Sequence, residues 1–413
     1  MSAPVHPTSD LQKLNVKRPS LLTLIVLISF GSIGAALFTP AIPAIIKEFG
    51  ISVTVAQLTV TLYLLGYCIG QLIYSPVAKR FGRKPALYFG ISIAMVSSFL
   101  CALSGPLNNF SLLLLGRLLT SLGSSVGLSL TFLIISDYFY EKHARKITAY
   151  TMLAFAVVPG VSIAIGGSLV TLFGWESCFY FLTLYSVFAL YLVYRLAETG
   201  PGQEKEATRL TTVLKNYQRD FKNPILVIYS ILIGTSTIFV YVFAATAPVI
   251  VISMMGLRPD TFGLLNLIPA TGYFLGNFVA ARLANHFEIK TVLHVGIGIM
   301  ALGVALLFGL LLGGSHSVFS IFLPVCLLYF GIPLMYSNAA VLATFRVKDK
   351  PNASSIMSFI NIGLALFGII VMGMIPGNRA FVMPSLFLFF FLCMLGLYII
   401  SYKRLREDQE EAI

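Results

Sequence analysis

From Leu21 to Tyr402 the chain alternates long apolar runs with short polar breaks. A helix needs roughly 20 mainly apolar residues to cross about 30 Å of hydrocarbon. The runs at 21–43, 54–78, 86–104, 109–136, 147–172, 178–195, 224–250, 261–283, 291–313, 318–342, 353–375 and 381–402 each meet that requirement. They predict an all-α membrane protein with twelve transmembrane helices, whose even count puts both termini on one side.

Charge placement orients this topology. Of the 28 Lys and Arg, only Lys47, Arg258 and Arg379 fall on the side opposite the termini, and Arg117 lies within a span. Cytoplasmic loops collect Lys and Arg, so both termini are expected in the cytoplasm. The same asymmetry accounts for the +12 net charge, and no nucleic-acid partner is implied. With 57% hydrophobic and 11% charged residues and a mean hydropathy of +0.89, most of the chain has the bilayer as its solvent. The first run is too long for a signal-peptide core and follows a polar lead-in, 1–20, so it is expected to stay attached. Cys68, Cys101, Cys178, Cys326 and Cys393 show neither CxxC nor Cys/His metal spacing and are expected to be core residues; no metal or cofactor is implied.

The charged stretch 196–223 reads as a linker between an N-terminal six-helix bundle, 21–195, and a C-terminal one, 224–402, followed by a tail, 403–413. Displacing the sequence by 206 residues superposes Gly66-Tyr67-Cys68-Ile69-Gly70 on Gly272-Tyr273-Phe274-Leu275-Gly276. Ala78, Phe81, Lys84 and Leu87 then meet Ala284, Phe287, Lys290 and Leu293. Both copies run from the end of a second span into a third, which marks a true repeat. Parallel repeats of this kind build transporters whose halves rock around a midplane site.

The loop Ser75-Pro76-Val77-Ala78-Lys79-Arg80-Phe81-Gly82-Arg83-Lys84-Pro85 resembles the signature between spans two and three of the major facilitator superfamily. The resemblance is closest to the drug-exporting branch of bicyclomycin- and chloramphenicol-resistance transporters. Pro40-Ala41-Ile42-Pro43, Leu65-Gly66-Tyr67, Gln71-Leu72-Ile73-Tyr74, Ser337-Asn338-Ala339-Ala340 and Ala353-Ser354-Ser355 extend it. It implies two six-helix bundles around a central cavity, a small-molecule substrate, efflux by antiport with protons as a candidate coupling ion, a bacterial inner membrane and a monomer. It also implies a cytoplasmic gate at Lys79, Arg80, Gly82 and Arg83, where the loop latches the two halves. The pattern's usual glycine is Ser75 here, and its acid is Lys79. Pro159, Gly160, Gly166 and Gly167 resemble the fifth-span antiporter motif and are expected to form a hinge; the pattern's second proline is Ile163.

Arg117 resembles the fourth-span arginine that the family uses in substrate binding and proton coupling. A cation inside a span costs at least ~2.5–3.5 kcal/mol, so something must compensate it. Thr120, Ser121 and Ser124 share a helical face with it and are expected to border the cavity. Phe38, Gln57, Phe155, Tyr241, Asn266, Tyr336, Asn338 and Asn361 are candidates to complete that cavity. None of the 16 acids lies near a span centre, and Asp137, at the inner end of span four, is the nearest carboxylate for coupling. A cavity with an arginine and no carboxylate favours neutral or anionic solutes, including carboxylate-bearing metabolites such as siderophores, over lipophilic cations.

A membrane-embedded enzyme would need clustered acids, metal ligands or a nucleophile with a base, and no such constellation is present. The Walker loop for ATP is also missing. A non-transporting sensor or scaffold would share this fold. The orientation has a direct check in a cysteine-free background of intact cells. A membrane-impermeant thiol reagent should label a cysteine placed at Asn108 and spare one placed at Lys215; the reverse pattern would invert the topology.

Overall fold

The computed structural model describes residues 19–139, 141–198, 218, 221–284, 286–314, 317–344 and 350–410. Most of the lead-in and linker therefore lie outside the described residues. Twelve helical passes follow one another: α1 (Leu21–Phe49), α2 (Val53–Phe81), α3 (Arg83–Leu103), α4 (Phe110–Tyr138), α5 (Glu141–Phe173), α6 (Ser177–Tyr194), α7 (Pro224–Met254), α8 (Pro259–Leu283), α9 (Ile289–Leu312), α10 (Phe319–Thr344), α11 (Lys350–Met374) and α12 (Arg379–Glu410). No strand occurs among the described residues.

Several passes depart from the predicted spans for local reasons. α1 stops at Ala36, makes a 3₁₀ turn over Thr39–Ala41 and resumes at Ile42–Phe49. Pro40 and Pro43 lack the N–H groups that would carry the ladder through. Pro269 similarly deprives the Leu265 carbonyl of a donor, and α8 is interrupted at Asn266. α7 ends in a π turn over Val249–Met254. α12 continues past the predicted end at 402, since helix propensity persists where hydrophobicity has ended.

Lipid tails are as apolar as leucine, so helices in a bilayer associate through close backbone approach rather than by expelling water. Glycines provide it here. A Cβ at Gly66 or Gly70 on α2 would strike the Leu118 or Leu122 carbonyl of α4. In the second half, Gly272 and Gly276 on α8 meet the Cys326 and Phe330 carbonyls of α10 in the same way. Gly90 and Gly123 face each other between α3 and α4, and Gly296 and Gly331 repeat that pair between α9 and α10. The internal repeat is thus a repeat of helix crossings.

Between the halves, α2 packs on α11, α5 on α8, and the broken part of α1 on α7. Gly160 of α5 leaves room for Ala270 of α8, and Gly167 for the Pro259 carbonyl. Gly166 instead accepts the Leu37 carbonyl of α1, and the helix passes unbroken through Pro159. Two of the four predicted hinge residues, Gly160 and Gly167, are therefore close-approach points along the α5–α8 seam.

Gly123→Leu and Gly331→Leu should each lower the melting temperature in detergent, because overpacking a close crossing costs about 1–3 kcal/mol. Gly309, where an added Cβ would meet nothing within 4 Å, should accept leucine without loss. Equal tolerance at all three positions would remove the crossings as the source of rigidity.

Candidate functional site

Arg117 sits on α4 two turns from its start, and its side chain is 0% exposed. Its Nη1 donates to the Gly34 carbonyl at 2.8 Å and its Nε to the Thr59 carbonyl at 3.2 Å. The break after Ala36 leaves the Gly34 carbonyl without a helical donor, and the guanidinium supplies one. Its Cζ lies 3.8 Å from the Phe38 ring centroid and 4.1 Å from that of Tyr63. Nη2 has no partner among the described residues. Arg117 therefore ties α1, α2 and α4 together inside the first half, with π faces and carbonyl dipoles in place of a counter-ion.

The polar residues after Arg117 turn into helix contacts. Thr120 donates to Ser97 Oγ of α3 at 3.1 Å, Ser121 bonds its own helix and meets Gly66, and Ser124 pairs with the Tyr63 hydroxyl at 3.1 Å. All three are at most 3% exposed, so the structure buries this face against α2 and α3 rather than leaving it on a cavity.

The centre between the halves is lined instead by tyrosines. Tyr67 of α2 lies close enough to Tyr63, Tyr241 of α7 and Tyr336 of α10 to interact electrostatically, and Tyr241 and Tyr336 likewise reach Tyr273 of α8. Gly31 and Gly34 on α1 make room for Tyr67 and Tyr63, whose rings stack at 6.4 Å. Asn361 of α11 donates to the Tyr336 hydroxyl at 3.3 Å. Tyr241, Tyr273 and Tyr336 stay partly accessible although protein surrounds them, which marks them as walls of an internal space.

Of the predicted cavity residues, Tyr241, Tyr336 and Asn361 meet at this centre. Phe38 packs on Arg117 instead, while Asn266 and Asn338 bond the Phe262 and Leu334 carbonyls of their own helices. The Phe155 side chain lies outside the described residues. Tyr67 and Tyr273 escaped the sequence reading as site residues. The signal was available: each follows the first glycine of the repeated motif, so the repeat itself sends one ring inward from each half.

Gln57 lies at the far end, away from the termini, beside Gly373 of α11, and neither of its amide atoms has a partner among the described residues. Next to it, Thr54 donates to the Gly373 carbonyl at 3.3 Å and accepts from Arg379 Nη2 at 3.1 Å. Arg379 also donates to the Met372 and Ile375 carbonyls, clamping the end of α11 to α2. On the same face Trp175 Nε1 donates to Glu48 at 2.6 Å. Burial, reinforced by the nearby Glu48 charge and opposed by a backbone hydrogen bond, pushes the neighbouring Glu176 carboxyl above its ordinary range.

At the termini end, Gly82 adopts φ 103° between α2 and α3. Arg83 donates to the Ala78 carbonyl and pairs with Asp137 at 3.1 Å. Glu198, just past α6, accepts from the backbone N–H groups of Arg83 and Lys84 at 2.8 and 2.9 Å. A carboxylate at a helix N-terminus is favourably placed for the helix dipole. Glu198 thus supplies the anion that Lys79 cannot, and Asp137 serves the same loop. Arg80 lies over Phe81. The described contacts of Gly82 and Arg83 hold the loop to its own half. All five cysteines are free.

A family model described as Major Facilitator Superfamily matches residues 22–372. The chain belongs to that superfamily. It is 24% identical over 324 residues to multidrug resistance protein D of Escherichia coli, covering 77% of this chain and 79% of that one. It is 25% identical to multidrug transporter MdfA of Edwardsiella ictaluri, over 86% and 88% of the two chains. It is 24% identical to a bicyclomycin resistance protein homolog of Haemophilus influenzae, over 68% and 70%. Among solved structures it resembles the D-xylose-proton symporter, with a TM-score of 0.70 at 15% identity over 91% and 96% of the chains. A bacterial homolog of the lysosomal transporter Spinster matches with a TM-score of 0.70 at 14% identity over 98% and 99%. These likenesses confirm the fold, and this superfamily protein is a transporter.

Three outcomes follow from the geometry. Arg117→Ala should lower the melting temperature, since the buried Gly34 carbonyl left unpaired costs about 1–3 kcal/mol; an unchanged transition would contradict the tie. Arg379→Ala should increase thiol labelling of a cysteine at position 57 by freeing α11 from α2. Glu176 holds its proton more tightly folded than unfolded, so its stabilisation is present below the ordinary Glu range and lost as pH rises through the raised value. Glu176→Gln should therefore raise the melting temperature near pH 7 and give no gain near about pH 4.

Proposed function

We propose that this chain is a secondary exporter of small organic molecules in a bacterial inner membrane, working as a monomer by alternating access with both termini in the cytoplasm. The observation that carries the reading is a cluster of tyrosines contributed by both halves, Tyr67 from one and the partly accessible Tyr241, Tyr273 and Tyr336 from the other. Residues contributed by both halves can be drawn apart by a rocking motion and so can release what they hold. The drug-resistance names of the relatives support organic compounds as cargo. Among the described residues the seams contain few hydrogen bonds, as repeated opening requires.

Asp137 is paired with Arg83, and no carboxylate accompanies Arg117 among the described residues; Arg117 and Asp137 are the coupling candidates in this reading. Protons remain the coupling ion to test. The loop around Gly82 and Arg83 acts as the inner gate in this reading, and the seam of Gly160 and Gly167 as the pivot.

The test compares accumulation of a broad compound panel in cells with and without the protein, then flux into proteoliposomes with and without a proton gradient. Export of at least one compound, lost in Tyr67→Ala, is expected. Identical accumulation for wild type, Tyr67→Ala and empty membranes would overturn transport and favour a non-transporting scaffold.

A further inference from the structure

The chemistry of the central space goes further than its position. It offers phenol hydroxyls from Tyr67, Tyr241, Tyr273 and Tyr336 and the amide of Asn361, and no carboxylate lies beside it among the described residues. The described acids fall at the two ends of the bundle: Glu48, Glu176 and Asp260 at one, Asp137, Glu141, Glu198, Glu288, Glu407, Asp408 and Glu410 at the other. The Asn361 nitrogen is spent on Tyr336, while the Asn361 oxygen is buried without a partner. No hydrogen bond among the described residues places a partner on the Tyr241 or Tyr273 hydroxyl.

Rings of this kind, taken alone, would welcome an organic cation through their π faces. Arg117 works against that. Its guanidinium lies 4.1 Å from the Tyr63 ring, and Tyr63 stacks on Tyr67 at 6.4 Å, so a permanent positive charge stands one ring behind the wall. With Nη2 unpartnered and no counter-ion among the described residues, its field is not cancelled locally. Its faces toward Phe38 and Tyr63 are already occupied, and it is fully buried, so it acts on cargo through space rather than by contact.

We infer that the tyrosine-lined centre takes planar aromatic molecules that are neutral or anionic and carry hydrogen-bonding groups, and that the uncompensated charge of Arg117 excludes organic cations from it. The inference rests on the transporter reading and adds the class of cargo. At a separation of ~10 Å and an effective dielectric constant of about 20, like unit charges repel enough to weaken binding about tenfold. A neutral ligand is unaffected by this field, and a carboxylate gains from it.

Three probes on one scaffold separate charge from shape: naphthalene-2-carboxamide, naphthalene-2-carboxylate and (naphthalen-2-ylmethyl)trimethylammonium. Equilibrium binding to the full-length protein in nanodiscs should rank the carboxamide and carboxylate about tenfold or more above the ammonium probe. Tyr241→Phe and Tyr273→Phe should each weaken the carboxamide several-fold by removing one hydroxyl. Arg117→Gln should narrow the gap between carboxamide and ammonium, while Arg117→Lys, which keeps the charge, should preserve it. Should Arg117→Gln not fold, the wild-type ranking decides alone. An ammonium probe bound as tightly as the carboxamide, or no binding by any probe, would overturn the inference. Flux of cationic compounds with neutral ones excluded would overturn it while leaving transport standing. Absence of all flux would instead remove the transporter reading.

Discussion

A guanidinium in the interior of a membrane protein has to be satisfied by whatever the fold places around it, and around Arg117 the fold places no acid among the described residues. It uses a carbonyl released by the break in α1, another from the second turn of α2, and the faces of Phe38 and Tyr63. That solution dictates much of the first half. α1 must break where it does, Gly34 must lack a side chain so that the Tyr63 hydroxyl can approach, and Tyr63 must hold its ring flat against the cation. Tyr63 in turn stacks on Tyr67, so the wall of the central space inherits its placement from the charge behind it.

The second half solves the same packing problem without a charge. Its crossings repeat those of the first, glycine for glycine, yet no cation stands inside α10. Asymmetry in a symmetric frame is what gives the centre a sign. Were both halves apolar at this depth, a tyrosine-lined space would distinguish cargo by shape and hydrogen bonding alone.

Much of this was legible in the sequence, because the membrane leaves few choices. Run length determined the passes and the Gly66 and Gly272 motifs exposed the repeat, while the break that Pro40 and Pro43 impose on α1 lay inside a span read as continuous. What could not be read was direction. Thr120, Ser121 and Ser124 share a face with Arg117, but that face meets α3 and α2, a fact set by the crossing angle of α4 and not by periodicity. Glu198 was invisible as the partner of the α2–α3 loop, since nothing local joins it to Gly82 more than a hundred residues earlier. Arg379 read as a loop charge, and only the proximity of α11 to α2 turns it into a clamp.

The glycine crossings within each half carry a kinetic implication. Backbones in direct contact have no side-chain layer to deform, so each bundle resists internal distortion. At the boundary between the bundles, Thr54, Gly373 and Arg379 hold one end with two hydrogen bonds, beside a glutamine whose amide is left dry. Water entering the seam there would hydrate Gln57 and offset part of what the broken bonds lose.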